Sequence, residues 1–483
     1  MKDKNLKSQV MTGMFWRFGE RICAQLVTFV VSIVLARLLE PSHYGVISLL
    51  TVFIAIANVF VSDGFGKALI QKKKVNDCDY SSVFYFNILF SWFVYVVIFF
   101  LAPSIASFYK EPILTPTLRV LAFKIPLAGI NSIQQAYVAR NMIFKKFFWS
   151  TLIGTIISAV VGIVMAMQGF GVWALVAQYL TNSLIDTIVL WFTVRWRPKL
   201  QFSIHRLLNL LKFGWKILLT SLINTGYDNL RSMIIGKVYS SIDLAYYTKG
   251  IHYPNLIIVN VNTTIGSVLF PALSKLQDDK FRLKQGLRKA IAMSTYVIFP
   301  LMAGLAAVAP EVVSLMLTDK WLPCVPFLRI ACVYMAFYPI NTANLQAIMA
   351  AGKSDVYLKL NIIKKGIGLI VIFATIPFGV MAMAAGEIVV ALAAVLTNIS
   401  ANKKMLNYGI KDLWGDVGAN FVMSLLVYVL STVCGNVISH ITDQLFIILA
   451  VKVLLGVITY LIMSIVVRSQ EMQYIFKMLK RTR

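Results

Sequence analysis

The chain has 483 residues, 59% of them hydrophobic, and its 46 Lys and Arg against 20 Asp and Glu leave a formal net charge of +26. Since a span needs about twenty apolar residues, this content supplies about fourteen crossings and leaves little sequence for a soluble domain. The cations are divided among short connections rather than gathered on one soluble face, which argues against nucleic acid as a partner.

In chain order, apolar runs lie at 12–38, 44–70, 80–108, 113–138, 147–168 and 171–194. A second series follows at 207–238, 244–271, 287–309, 323–350, 358–378, 380–400, 417–438 and 443–467. These runs are too long and too continuous to be the alternating strands of an outer-membrane barrel, so helices are the only spanning structure they allow. The expected fold is an all-α polytopic membrane protein of about fourteen transmembrane helices.

Trp16, Arg17, Glu20 and Arg21 interrupt the first run, and no short apolar core ends in an A-x-A-like site. An uncleaved first helix is therefore expected. Lys and Arg crowd the N-terminus at Lys2, Lys4 and Lys7, the segments 72–74, 140–146, 195–206, 275–289, 353–365 and 403–411, and the tail from Arg468. With fourteen spans all of these fall on one side, and the opposite connections hold only Arg37, Lys110, Lys249 and Lys320 near their ends. The excess of Lys and Arg places both termini in the cytoplasm, with anionic head groups of the inner leaflet as neighbours. Cys23, Cys78, Cys324, Cys332 and Cys434 show neither paired spacing nor a metal motif, and read as small packing residues.

Three short patterns repeat. Arg17-Phe18-Gly19-Glu20-Arg21 opens the first run and Lys212-Phe213-Gly214-Trp215-Lys216 the seventh. Phe170-Gly171-Val172-Trp173-Ala174 and Phe378-Gly379-Val380-Met381-Ala382 open the sixth and twelfth. Pro126 with Asn131 in the fourth is matched by Pro339 with Asn344 in the tenth. The order is kept while the offset drifts, as it does when loops lengthen between two copies of one unit. Six spans per copy is an even number, so the two copies point the same way through the membrane. The expected organisation is a cytoplasmic N-terminus at 1–11, an N-lobe at 12–194, an inter-lobe linker at 195–206 containing Pro198, and a C-lobe at 207–400. A cytoplasmic loop at 401–416, two further spans within 417–467 and a basic cytoplasmic tail at 468–483 complete it.

Two parallel lobes around a common site are a transporter architecture, in which one lobe rocks against the other. Ionisable residues inside spans are costly unless they face a polar cavity or a partner. Arg17, Glu20 and Arg21 lie three and four apart on one face of the first helix, and Asp63 with Lys67 at the same cytoplasmic end of the second span. They form either a salt-bridged cluster or an entrance for an anion. Further along stand Arg119, Lys124, Lys216, Asp228, Arg231 and Arg329, of which Asp228 and Arg231 can neutralise each other. Cations outnumber anions, and excess positive charge in a cavity would hold a phosphate or pyrophosphate, Arg by paired hydrogen bonds and Lys as a point charge. Arg17, Arg21, Lys67, Lys124, Lys216, Arg231 and Arg329 are the candidate anion-binding residues. Glu20, Asp63, Asp186, Asp228 and Glu387 are the acidic residues within spans, and Asp228 and Glu387 are the candidates for coupling to a proton or Na⁺ gradient. No other cofactor is expected.

The runs Asp63-Gly64-Phe65-Gly66-Lys67-Ala68-Leu69-Ile70-Gln71, Phe170-Gly171-Val172-Trp173-Ala174-Leu175-Val176, Leu269-Phe270-Pro271-Ala272-Leu273-Ser274 and Lys320-Trp321 through Pro326 resemble polysaccharide exporters of the Wzx type. These belong to the multidrug/oligosaccharidyl-lipid/polysaccharide superfamily, and the resemblance runs from about residue 10 to 470 by the order and spacing of such segments. It implies a flippase that moves an undecaprenyl-pyrophosphate-linked oligosaccharide from the inner to the outer leaflet of a bacterial cytoplasmic membrane, for O-antigen, capsule or exopolysaccharide synthesis. It also implies a V-shaped pair of six-helix lobes with two extra C-terminal helices. The family's basic first-helix positions correspond to Arg17 and Arg21, whereas the acidic ion sites of the related multidrug exporters have no clear counterpart. Other polysaccharide assembly proteins would be partners, beside the lipid-linked substrate and membrane lipids.

A membrane enzyme acting on the same carriers, an oligosaccharide polymerase or a polytopic glycosyltransferase, is the alternative. Such a reaction needs a base presented in a sizeable outer loop. Here the outer connections are short, and His43, Glu111, Asp319, Lys320 and His440 form no recognisable constellation.

Overall fold

The computed structural model describes residues 2–62, 65–72 and 75–481, with side chains described except at 2–11, 14, 15, 65, 67, 71, 213, 475, 476 and 478–481. The helices are α1 (Lys2–Leu38), α2 (Pro41–Ser62), α3 (Phe65–Gln71), α4 (Asp77–Tyr109), α5 (Leu114–Leu121), α6 (Lys124–Arg140), α7 (Lys145–Met167), α8 (Val172–Thr193), α9 (Ile204–Val238) and α10 (Ser241–Ser274). They continue as α11 (Lys280–Ala307), α12 (Ala309–Leu317), α13 (Val325–Ala336), α14 (Tyr338–Ala350), α15 (Ser354–Thr375), α16 (Gly379–Leu406), α17 (Ile410–Ser439), α18 (Leu445–Val466) and α19 (Gln470–Arg481). No strand occurs among the described residues. Among the described residues, eleven helical segments are long and apolar enough to cross a bilayer, one of them, Ser354–Leu406, holding both α15 and α16.

Two compact units divide the chain, Met1–Ala245 and Tyr246–Arg483. Within the first, α7 packs along α1 and α8, α4 against α5 and α6, and α2 against α6 and α9. Its core gathers Leu69, Val83, Phe84, Ile133, Val138, Leu190 and Trp196, with Phe84 edge-on and Tyr80 tilted against the Trp196 ring. Within the second, α11 is central and touches α13, α14 and α17, while α16 covers α13 and α14 and α18 lies along α17. Leu283, Leu287, Ile291, Phe299, Ile340, Ala343, Ile399 and Tyr408 make its core. Packing counts α9 with the first unit through α2, α3 and α4.

The fourth and tenth runs are not continuous helices. At 113–138 the chain forms α5 and α6, separated at Ala122 and Phe123, where Phe123 and Ile125 donate to carbonyls only three residues back, Val120 at 3.2 Å and Ala122 at 2.9 Å. At 323–350 it forms a 3-10 turn at Asp319–Cys324, then α13 and α14, with Phe337 donating to Tyr334 at 3.3 Å. Proline is the physical cause in both cases. Pro126 and Pro339 have no N–H to offer the carbonyl four residues earlier, so the ladder breaks there and restarts with proline in the first turn, where no donor is needed.

The second repeated pattern also acquires a structural meaning. Gly171 and Gly379 precede or begin α8 and α16 with φ of +55° and +93°, a region that side chains with a Cβ enter only at a cost. At Gly171 a Cβ would in addition lie 2.9 Å from Nε2 of His43. Both Phe-Gly pairs are entry turns into an apolar helix.

One expectation is overturned by packing. Lys249 is not in an outer connection but in the third turn of α10, 6% exposed, with its ammonium 5.6 Å from the centre of the Trp321 ring. A ring face substitutes for part of the lost water. Gly250 beside it permits this crossing, since a Cβ there would lie 2.7 Å from Phe327 Cβ and 2.8 Å from the Cys324 carbonyl oxygen.

Candidate functional site

The charged face of α1 is built against α7. Arg17 Nη1 donates to Glu20 Oε2 at 2.6 Å, its guanidinium stands 5.1 Å from the Phe147 ring centre, and Glu20 Oε1 accepts from Thr151 Oγ1 at 3.2 Å. The same seam is closed by Trp16 against Phe148 and by Lys145, whose ammonium lies 5.3 Å from the Trp16 ring centre. Spacing of three residues on a helix brings Arg17 to Glu20. Arg21, one residue round the helix from Glu20, is exposed and makes no ion pair among the described residues. The arrangement therefore leaves one neutralised cation, Arg17, and one available cation, Arg21, about one helical turn apart.

The other candidate cations divide similarly. Lys124 begins α6, half-buried, with its ammonium 5.1 Å from the ring centre of Tyr179 on α8. Arg329 on α13 donates Nε to the Ala306 carbonyl of α11 at 3.2 Å and borders a cavity of about 320 Å³ walled by Phe299, Phe337 and Phe421. Arg119 on α5 makes the matching bond in the first unit, Nε to the Phe99 carbonyl of α4 at 3.2 Å, with its guanidinium 4.3 Å from the Phe99 ring centre. Both tie a half-helix to its neighbour. Lys216 is exposed on α9, whereas Arg231 on the same helix is 5% exposed and Asp228 is exposed. Glu387 is half-buried on α16. Asp63 and the side chain of Lys67 lie outside the described residues.

Several polar side chains inside the units bond to one another across helices. Asn131 Nδ2 donates to Asp186 Oδ2 at 2.8 Å between α6 and α8, and Asn87 Nδ2 to Ser132 Oγ at 2.9 Å between α4 and α6. In the second unit Asn402 Nδ2 donates to Asn344 Oδ1 at 2.7 Å and Asn398 Nδ2 to Asn341 Oδ1 at 3.0 Å, both between α14 and α16. The asparagines that follow the two proline breaks thus meet the same partner helix in each unit. Such bonds hold helices together where hydrocarbon offers no alternative partner. Among the described residues, no group of three or more His, Cys, Asp or Glu could hold a metal ion.

An ion pair that sequence reading overlooked lies deeper. Lys452 on α18 and Glu311 on α12 meet at 2.5 Å, their side chains 5% and 10% exposed, and Lys452 Nζ also donates to the Ala307 carbonyl at 3.4 Å. Room for it comes from Gly435 on α17, where a Cβ would fall 1.7 Å from Lys452 Cε. The available signal was a lone lysine in an otherwise apolar span, which demands a partner. Near the starts of α11 and α17, Arg288 grips Asp416 through Nε at 2.9 Å and Nη2 at 2.6 Å, and Tyr408, in the connection between α16 and α17, donates its hydroxyl to the same carboxylate at 3.1 Å. Burial first, and then the Asp416 charge, push the Tyr408 phenol up from its ordinary range.

Comparison with known proteins adds an independent line. The model of a family described as polysaccharide biosynthesis protein matches residues 34–326. A protein of Klebsiella pneumoniae, named as an uncharacterized membrane protein in the cps region, is 27% identical over 491 residues, spanning 98% of this chain and 99% of its own. The lipopolysaccharide biosynthesis protein WzxC of Escherichia coli (strain K12) is 24% identical over 430 residues, 87% of this chain and 85% of its own. Among solved structures, the lipid II flippase MurJ in an inward closed conformation superposes with a TM-score of 0.74 at 17% identity, over 95% of this chain and 99% of the other. That likeness is one of fold.

Proposed function

Because the chain belongs to the polysaccharide biosynthesis protein family, we propose that it is a flippase, carrying an undecaprenyl-pyrophosphate-linked oligosaccharide from the cytoplasmic to the outer leaflet for surface polysaccharide synthesis. The fold it shares with a lipid II flippase supports this, as does its likeness over most of its length to a membrane protein of a cps region and to a lipopolysaccharide biosynthesis protein. The membrane is the bacterial cytoplasmic membrane and both termini face the cytoplasm, in keeping with the distribution of Lys and Arg. Two homologous six-helix lobes, separated at 195–206 by ancestry, alternate in access, with α17 and α18 as the added pair. The recurring proline breaks, entry glycines and asparagine bonds support that ancestry.

The observation that carries the site is the division of charge on α1. Arg17 is held by Glu20, which leaves Arg21 as the exposed cation to meet a pyrophosphate, with Lys67 and Lys216 as further contacts. Lys124, Arg231 and Arg329 supply background positive charge, and the prenyl chain stays in lipid. Asp228 and Glu387 are the carboxylates through which a proton or Na⁺ would couple. Chemistry on the sugar is left to partner proteins of polysaccharide assembly.

Complementation of a strain lacking its own lipid-linked oligosaccharide flippase tests this reading. The wild-type chain should restore surface polymer, and Arg21→Gln at equal membrane abundance should lower it at least tenfold while intermediate accumulates on the cytoplasmic face. Restoration by Arg21→Gln equal to wild type would overturn the role of that cation.

A further inference from the structure

The second unit contains a basic cavity that the transport reading does not use. Its volume is about 1020 Å³, and it lies between the N-terminal halves of α11 and α17 and the junction of α18 with α19. Arg282, Arg288, Lys289 and Arg468 line it, against Asp416 and Glu471. Asp416 is already held by Arg288, and Arg282 by Asp279 at 3.3 Å. Lys289 reaches across to Tyr474 of α19, its ammonium 3.7 Å from the ring centre. Arg468 is exposed, with no ion pair among the described residues. With Arg288 and Arg282 so paired, Lys289 and Arg468 against Glu471 leave the walls positive.

Arg468 also adopts an unusual backbone. Its φ is +53°, and Ser469 N–H bonds back to the Ser464 carbonyl at 3.0 Å, closing α18 in the manner that normally selects glycine at this position. Lys110, Met142 and Asn407 close their helices in the same left-handed conformation, and because glycine adopts it freely, Arg468→Gly removes the side chain without straining the turn. The rim around it is apolar and unprotected, with Phe281, Val466 and Val467 exposed by 70%, 69% and 49%. The helix that follows, α19, is strongly amphipathic, the pattern of a segment lying in the interface plane.

We propose that this cavity binds the head group of an anionic phospholipid of the phosphatidylglycerol or diphosphatidylglycerol class. The phosphate sits between Lys289 and Arg468, the acyl chains leave over the Phe281 and Val467 rim, and the bound lipid fixes α19 against α11. A basic pocket at the cation-rich ends of spanning helices fits a lipid phosphate, and this volume is at the upper end of the roughly 300–1,000 Å³ typical of small-ligand sites, enough for a two-phosphate head group. A soluble anion would have no use for the apolar rim. The inference shares the cytoplasmic placement proposed above and is independent of what the chain transports.

The test uses the full chain purified in neutral detergent and native mass spectrometry, with diphosphatidylglycerol, phosphatidylglycerol, phosphatidylethanolamine and inorganic pyrophosphate as probes. The anionic lipids should be retained at least tenfold more than phosphatidylethanolamine, and pyrophosphate should not compete. Arg468→Gly, which relieves the backbone, should leave the melting temperature of the delipidated protein unchanged or raised while lowering anionic-lipid retention at least tenfold when combined with Lys289→Gln. Undiminished retention in the combined variant, or displacement by pyrophosphate at lipid-equivalent concentration, would overturn the proposal. A variant that melts early is replaced by Arg468→Gly alone, for which a lower lipid affinity at unchanged stability remains the required result.

Discussion

Replacing Lys452 by Met is expected to destabilise the protein by about 3–5 kcal/mol, because it strands the buried Glu311 carboxylate without its counter-charge. Glu311→Leu alone should cost a similar amount by stranding the ammonium. The pair is nearly dry, at 5% and 10% side-chain exposure, so solvent screening does little to reduce the figure. Its geometry is nonetheless incomplete: Glu311 Oε2 has no hydrogen-bond partner. A buried pair with an unsatisfied oxygen has small net value over an apolar pair of similar volume. The double variant Lys452→Met with Glu311→Leu should therefore return to within about 1 kcal/mol of the parent, giving a coupling energy of several kcal/mol in the cycle. Denaturant-titrated unfolding of all four proteins in one mixed micelle measures it. Additive losses, with the double variant as unstable as the two singles summed, would refute the claim that the cost of each single change is a stranded charge.

Gly435→Ala places a Cβ 1.7 Å from Lys452 Cε in the unrelaxed geometry, and should cost about 1–3 kcal/mol by the same unfolding assay; with Lys452→Met already present the cost should shrink by more than half. At the two entry turns, Gly379→Ala meets open space and should cost only the backbone penalty of about 1–2 kcal/mol, while Gly171→Ala also strikes His43 and should cost more; equal losses would show that the His43 contact relaxes freely. Glu20→Gln releases Arg17 from its 2.6 Å partner, so export by Arg21→Gln should be partly rescued in the Glu20→Gln, Arg21→Gln double variant; no rescue in the surface-polymer assay would show that Arg17 cannot stand in for Arg21.

The membrane class and most of the long apolar helices were legible in the residues, because each rests on composition or on spacing within about one helix, whereas the runs at 113–138 and 207–238 are not among the spanning segments found in the described residues. The Arg17 and Glu20 pair was legible for the same reason, three residues being one helical step. Even the proline breaks had their signal in Pro126 and Pro339, whose missing N–H groups interrupt a ladder regardless of what surrounds them. Tertiary structure alone decided the rest. Whether Arg329 bonds the Ala306 carbonyl, whether Lys249 stacks on Trp321, and whether Lys452 finds Glu311 far back in the chain all depend on which helix faces meet. A mid-span charge announces that it needs a partner because hydrocarbon cannot solvate it, but the partner's identity is a property of packing, and packing is set by the whole unit at once.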